Sequence, residues 1–176
     1  AGCDIIMGAL VIETGSADER LRVSVPYQRS GVALELGPNV PPSTTVSGYE
    51  DLSALALKVG VISGSVAAWY LGTREVQTRP FGFEDDMVQA LVEGVIDVAA
   101  ITPEAAEWSA HKLGAPISIV YAYNDEPQLR WGKAVGLLKA DDALVEAFNN
   151  AIAQLLDDGS IKAILATYGI LHRPPQ

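Results

Sequence analysis

The chain has 176 residues, a formal net charge of −10 and a hydrophobic fraction of 49%, enough apolar material for one domain or for a domain and part of another. That hydrophobic fraction excludes a disordered chain, and the excess of acid excludes nucleic acid, whose phosphates attract lysine and arginine patches. No apolar run is long enough to cross a bilayer, so no membrane insertion is expected.

The opening residues "AGCDIIMGAL" (1–10) form a strand already under way, with no basic stretch and apolar core of a secretory leader before it. Residues upstream of Ala1 are therefore expected. Cys3 is the single cysteine and has no internal disulfide partner. It is either buried in the strand or paired with a cysteine upstream.

Strands are predicted over 3–12 and 30–36, separated by the polar, turn-rich "ETGSADERLRVSVPYQR". The stretch "LGPNVPPSTTVSG" (36–48), rich in Pro, Gly, Ser and Thr, marks a seam between structural units. Beyond it the pattern is regular. A β-branched run at 57–63 ends at Gly64-Ser65, and "VAAWYLGT" continues as a short helix. The segment 75–81 is a strand that Pro80 places near a sheet edge. Glu84, Asp85 and Asp86 open a helix, where the dipole favours acid, and Gly94 ends it. A buried strand is expected over 95–101. Thr102 and Pro103 then start a helix running to about Leu113. Strands at 117–123 and 132–139 precede a long helix over 140–160, with Leu144, Phe148, Ile152 and Leu155 as its apolar stripe. A last short helix covers 161–169.

Alternating strands and helices at this spacing predict βαβ units and a mainly parallel sheet. Ligands of such sheets sit beyond the carboxyl ends of the strands, at helix N-termini. Gly64-Ser65-Val66 and Thr102-Pro103 are therefore the two turns of interest, where free amide N–H groups and hydroxyls donate toward an anion. As local features both also fit ordinary helix caps. Tyr27 and Trp69 lie near candidate turns and are assigned a binding role. His111 is expected at a helix end and His172 in a solvated tail. Neither has metal-ligand spacing, and there is no GxSxG elbow, no GxGxxG and no Walker lysine. The sequence predicts no catalytic residue, no metal and no cofactor.

Five segments in order carry a resemblance. "CDIIMGAL", "ADERLRVSVPYQRSGVALEL", "LSALALKVGVISGSVAAWYL", "FGFEDDMVQALVEGVIDVAAITPEAAEWSAHK" and "WGKAVGLLKADDALVEAFNNAIAQLLDDGSIKAILATYG" together resemble family 3 extracellular solute-binding proteins. These are the periplasmic partners of ABC importers. The likeness spans nearly the whole chain. Within it, "GCDIIMG", "ERLRVSVPYQRS" and "YGILHRPP" are similar to the solute-binding-like proteins associated with quinoprotein (PQQ-dependent) methanol dehydrogenases. Val25 and Gln28 stand where that group carries an arginine and a second tyrosine.

The resemblance implies two α/β lobes with mainly parallel sheets, a ligand held between them by hinge closure, and a periplasmic location. It maps residues 1–36 to a remainder of lobe one with a crossing strand, 37–51 to a linker and 52–130 to lobe two. Residues 131–176 map to a return strand and C-terminal helices. Lobe one is thereby expected to be incomplete in this chain. Arg20 falls at the arginine that holds a ligand carboxylate, Gly64 and Ser65 at the anion-cradling turn, and Thr102 near an acid that holds an α-amino group. No carboxylate follows here until Glu104, which argues against a standard α-amino acid as ligand. The implied function is capture of a small anionic or polar solute, in partnership with ABC transporter membrane subunits. Two alternatives are an accessory that docks to a periplasmic quinoprotein dehydrogenase and a cyclohexadienyl dehydratase-like enzyme on the same fold.

Overall fold

A computed structural model describes residues 4–11, 21–114 and 117–175. The strands and helices follow in the order β1 (Ile5–Val11), β2 (Leu21–Val23), β3 (Gln28–Gly31), β4 (Ala33–Leu36), α1 (Glu50–Ala54), β5 (Val59–Ile62), α2 (Val66–Gly72), β6 (Thr78–Phe81) and α3 (Glu84–Val92). The chain continues through β7 (Val98–Ile101), α4 (Pro103–Leu113), β8 (Ser118–Val120), β9 (Arg130–Leu138), α5 (Asp142–Asp157) and α6 (Ser160–Thr167). It divides into two units, one made of residues 1–30 and 130–176, the other of residues 31–129.

The second unit is a five-stranded sheet in the order β6-β5-β7-β4-β8. β5 pairs in parallel with β6 and with β7, while β4 runs antiparallel to both β7 and β8. Pro80 lies on β6, an edge strand, where its missing N–H leaves no gap in the ladder. Met87, Leu91, Ile96, Ala99, Ile101 and Ala106 bring α3 and α4 onto one face of this sheet. Gly60 permits the close approach: a Cβ there would lie 2.5 Å from Ile96 Cδ1 and 2.9 Å from Met87 Cγ. Elsewhere in the unit Tyr49 and Tyr70 meet edge to face, their ring centres 5.4 Å apart.

Two expectations about this unit change. Residues 33–36 were expected with the first lobe, but β4 hydrogen-bonds to β7 and β8 on its two sides, so the boundary falls near residue 30 rather than in the 37–51 stretch. The strand expected over 117–123 covers only Ser118–Val120; Ala122–Asn124 turns into a 3-10 helix. Tyr123 is buried there, and a Cβ on Gly31 would meet its ring at 2.5 Å.

The first unit places β1 and β2 antiparallel on either side of β9, with β3 also paired to β9. β1 carries a bulge between Met7 and Ala9, where Gly8 takes φ +88°. α5 covers this sheet through Val145, Phe148, Ile152 and Leu156, packed with Val135 and Leu137. The expected stripe was Leu144, Phe148, Ile152 and Leu155. α5 is apolar over a wide arc, and the sheet takes the row beginning one residue later, leaving Leu144 and Leu155 exposed. Ile5, Ile6, Met7 and Leu10 of β1 are exposed as well, as is Ile164 of α6.

Candidate functional site

The register of β5 and β7 fixes the geometry of the two turns. Val59 lies opposite Val98 and Val61 opposite Ala100, so the parallel strands end side by side at Ile62 and Ile101. Neighbouring strands are about 4.8 Å apart. The turns that leave them are therefore adjacent on one carboxyl edge of the sheet.

After β5 the chain reverses through Ser63 and Gly64. Gly64 holds φ +74°, a conformation that favours glycine, and nothing lies within 4 Å of where a Cβ would stand. Ser65 then takes the extended N-cap conformation, and its Oγ accepts a hydrogen bond from the Ala68 N–H at 3.1 Å. After β7, Thr102 does the same for α4: its Oγ1 accepts from the Ala105 N–H at 3.4 Å, with Pro103 following at the first helical position. Each hydroxyl keeps its own proton to donate outward. The first-turn N–H groups of a helix have no partner within it. This edge is built to offer protons to an acceptor.

Of the predicted residues, Gly64, Ser65, Val66 and Thr102 share this edge. Trp69 sits one turn along α2 and is 64% exposed, so its ring is not used in the core. Tyr27 belongs to the first unit. It is half-buried against Val135, Leu137, Val145 and Ile152, and its N–H donates to the Lys133 carbonyl at 2.8 Å. Arg20 lies outside the described residues. Glu104, the first acid after the Thr102 turn, is 8% exposed in the first turn of α4.

His111 ends α4 with its ring 6.0 Å from that of Trp108. His172, expected in a solvated tail, is half-buried with Nε2 3.1 Å from the Tyr27 carbonyl. The tail runs back along β3: the Arg29 N–H donates to the Arg173 carbonyl, and the Arg173 N–H donates to Gln28 Oε1. Gln28 Nε2 donates to the Leu171 carbonyl. Among the described residues, no three His, Cys, Asp or Glu side chains gather as metal ligands.

Sequence reasoning passed over Glu35. It lies in the middle of β4, fully buried, and neither carboxylate oxygen finds a hydrogen-bond partner. Burial pushes its pKa up to about 7, with the Ser109 hydroxyl on α4 offsetting part of the effect. The available signal was a lone acid inside the apolar run "VALEL".

No family model and no curated protein matches the chain. Solved structures do. MxaJ from Methlophaga aminisulfidivorans MPT superposes with a TM-score of 0.75 at 20% identity, over 97% of this chain and 76% of that one. The chain has the fold of the periplasmic solute-binding proteins. An ancestral cationic amino acid solute-binding protein, AncCDT-1, gives a TM-score of 0.73 at 21% identity, over 94% and 69%. A second structure of AncCDT-1 describes it as a precursor of cyclohexadienyl dehydratase. The GluR0 ligand-binding core, in complex with L-glutamate, gives 0.71 at 15% identity, over 94% and 70%. The chain thus spans about 69–76% of the length of these structures. Among the described residues no helix is long and apolar enough to cross a membrane.

Proposed function

We propose that the chain is a periplasmic solute-binding protein that captures a small anionic or polar solute, with the Gly64–Val66 and Thr102 edge of its second unit as the anion-holding surface. The observation that carries this reading is the pairing of two capped helix starts on adjacent parallel strands, with open space at Gly64. A carboxylate held there accepts from the Ser65 and Thr102 hydroxyls and from first-turn amides of α2, and the helix dipoles add to the attraction. Trp69 offers an exposed ring beside the same turn. Arg20 is kept as a candidate on the resemblance alone, and Tyr27 on its place near a candidate turn of the sequence. In this reading the partners are the membrane subunits of an ABC importer, and hinge closure sequesters the solute.

The solute is not assigned as a standard α-amino acid. Thr102 offers no charge to an ammonium group, and Glu104 is buried. A dehydratase role requires a general acid at the edge, and the hydroxyls of Ser65 and Thr102 do not supply one.

A second reading, an accessory that docks to a periplasmic quinoprotein dehydrogenase, is favoured by the C-terminal segment. Of the segments that carry the narrower resemblance, "YGILHRPP" is hydrogen-bonded along β3 through Leu171 and Arg173. Isothermal calorimetry against small carboxylates and amino acids separates the two. Under solute capture, Ser65→Ala and Arg20→Ala each weaken the ligand found by about ten-fold, the loss of a charge-assisted hydrogen bond. Unchanged affinity in both variants argues against it. Co-purification with a quinoprotein dehydrogenase, with no thermal stabilisation by any solute, supports the second reading.

A further inference from the structure

On the face of the second sheet that carries α3 and α4, the two helices leave a groove of about 470 Å³ between them. Its floor is apolar, formed by Val88, Ile101 and Ala105, with Val92, Trp108 and Leu113 along its walls. The three wall residues are 48%, 41% and 44% exposed. Its rim is acidic: Glu84, Asp85 and Glu93 stand against the single cation Lys112. Gln89 Nε2 holds the Glu93 carboxylate at 2.8 Å. Ser109 also lines the groove, 6% exposed, and its hydroxyl has no hydrogen-bond partner.

We propose that this groove docks an amphipathic helical segment of another protein, one that presents an aliphatic stripe flanked by lysine or arginine. The shape follows from the lining. Residues 84, 88 and 92 and residues 85, 89 and 93 form two rows at helical spacing on α3, opposite 105, 109 and 112 on α4. A third helix seats its ridge in such a furrow. The charge follows from the rim, where three carboxylates attract cations and repel the phosphates of nucleic acid or of an anionic lipid surface. A second copy of this chain is a poor occupant, because 22 acidic residues against 12 basic ones make self-association at an acidic rim repulsive. None of Gly64, Ser65, Val66 and Thr102 lines the groove, and the substitutions that test it lie on α3 or at its C-cap, so the inference stands apart from solute capture.

The probe is a fluorescein-labelled Leu/Lys amphipathic peptide of about fourteen residues, roughly four helical turns, with a Leu/Glu peptide of the same apolar pattern beside it. Fluorescence anisotropy with the full chain should show binding of the Leu/Lys peptide that weakens with salt, and no binding of the Leu/Glu peptide. The triple variant Glu84→Gln, Asp85→Asn, Glu93→Gln should weaken it by at least about ten-fold. A control triple, Glu75→Gln, Glu146→Gln, Asp157→Asn, removes the same charge elsewhere and should leave binding unchanged. Val92→Lys, at an exposed wall position that keeps the fold, should weaken binding as the rim variant does. Equal weakening by the control triple overturns the inference in favour of general charge attraction. Equal binding of the Leu/Glu peptide also overturns it, as does a concentration-dependent dimer that Val92→Lys dissociates.

Discussion

Glu35 and Ser109 face each other beneath α4, and neither side chain closes a hydrogen bond. The carboxyl is fully buried, and burial raises its pKa from 4.5 to about 7. Between those values the folded chain holds the proton and the unfolded chain has lost it. Stability is therefore greatest at the acid end of this window, falls as pH rises through it, and is level with respect to this group above about 7. The full penalty is on the order of 3 kcal/mol. Glu35→Gln should remove this slope, matching the native chain near pH 5 and exceeding it near pH 8 in urea melts. The same slope in the variant would show that folding does not raise the pKa of Glu35.

Gly60 makes a different kind of demand on the second unit. Its missing side chain is what lets Met87 and Ile96 close over β5. Gly60→Val should cost about 1–3 kcal/mol through overpacking, although valine is the better strand former. Gly48→Val is the control, because nothing lies within 4 Å of a Cβ there. Equal denaturation midpoints for the two variants would mean that the face beneath α3 is slack.

What the sequence disclosed followed from period and punctuation. The starts of α3 and α4 were legible because acid, Thr102 and Pro103 sit where unpaired N–H groups and a fixed φ favour them. That both turns leave strands of one sheet was legible from the alternation of strand and helix, whereas the adjacency of β5 and β7, with β6 outside them, came from the pairing. Three further features were not legible. β4 reads as part of the first lobe because it directly follows β3, and only its pairing with β7 and β8 assigns it. The apolar row of α5 was set one residue off because the helix is apolar over more of its surface than the sheet covers. The C-terminal "LHRPPQ" looks like a solvated tail until its backbone is seen to pair with Gln28 and Arg29.

That tail makes Gln28 a structural residue. Its amide is 1% exposed, accepting from the Arg173 N–H at 3.0 Å and donating to the Leu171 carbonyl at 3.3 Å. Gln28→Leu removes both of these bonds, while the Leu171 carbonyl keeps the Arg173 Nη1 donor at 2.9 Å. A loss of about 2 kcal/mol is expected. Amide exchange near residues 171–173 should rise by more than global destabilisation accounts for. Exchange that rises uniformly through the first unit would instead assign Gln28 to the general core.

The last prediction separates a cap from a binding group at Ser65. Ser65→Ala removes the acceptor for the Ala68 N–H and should cost about 1 kcal/mol whether or not a ligand binds nearby. Loss of stability in that variant therefore says nothing about capture. Ser65→Asp behaves differently: aspartate caps a helix as well as serine and suits its positive end, so stability should be kept or raised. An anionic solute at the same turn then meets a fixed negative charge and a hydroxyl proton that is no longer there. Under the proposed function, the aspartate variant melts no lower than the native chain and loses its anion affinity by at least about a hundred-fold, roughly 3 kcal/mol of repulsion and lost donation. Should it melt as expected and still bind the same solute at native strength, Ser65 is a helix cap alone, and the anion site does not lie at this turn.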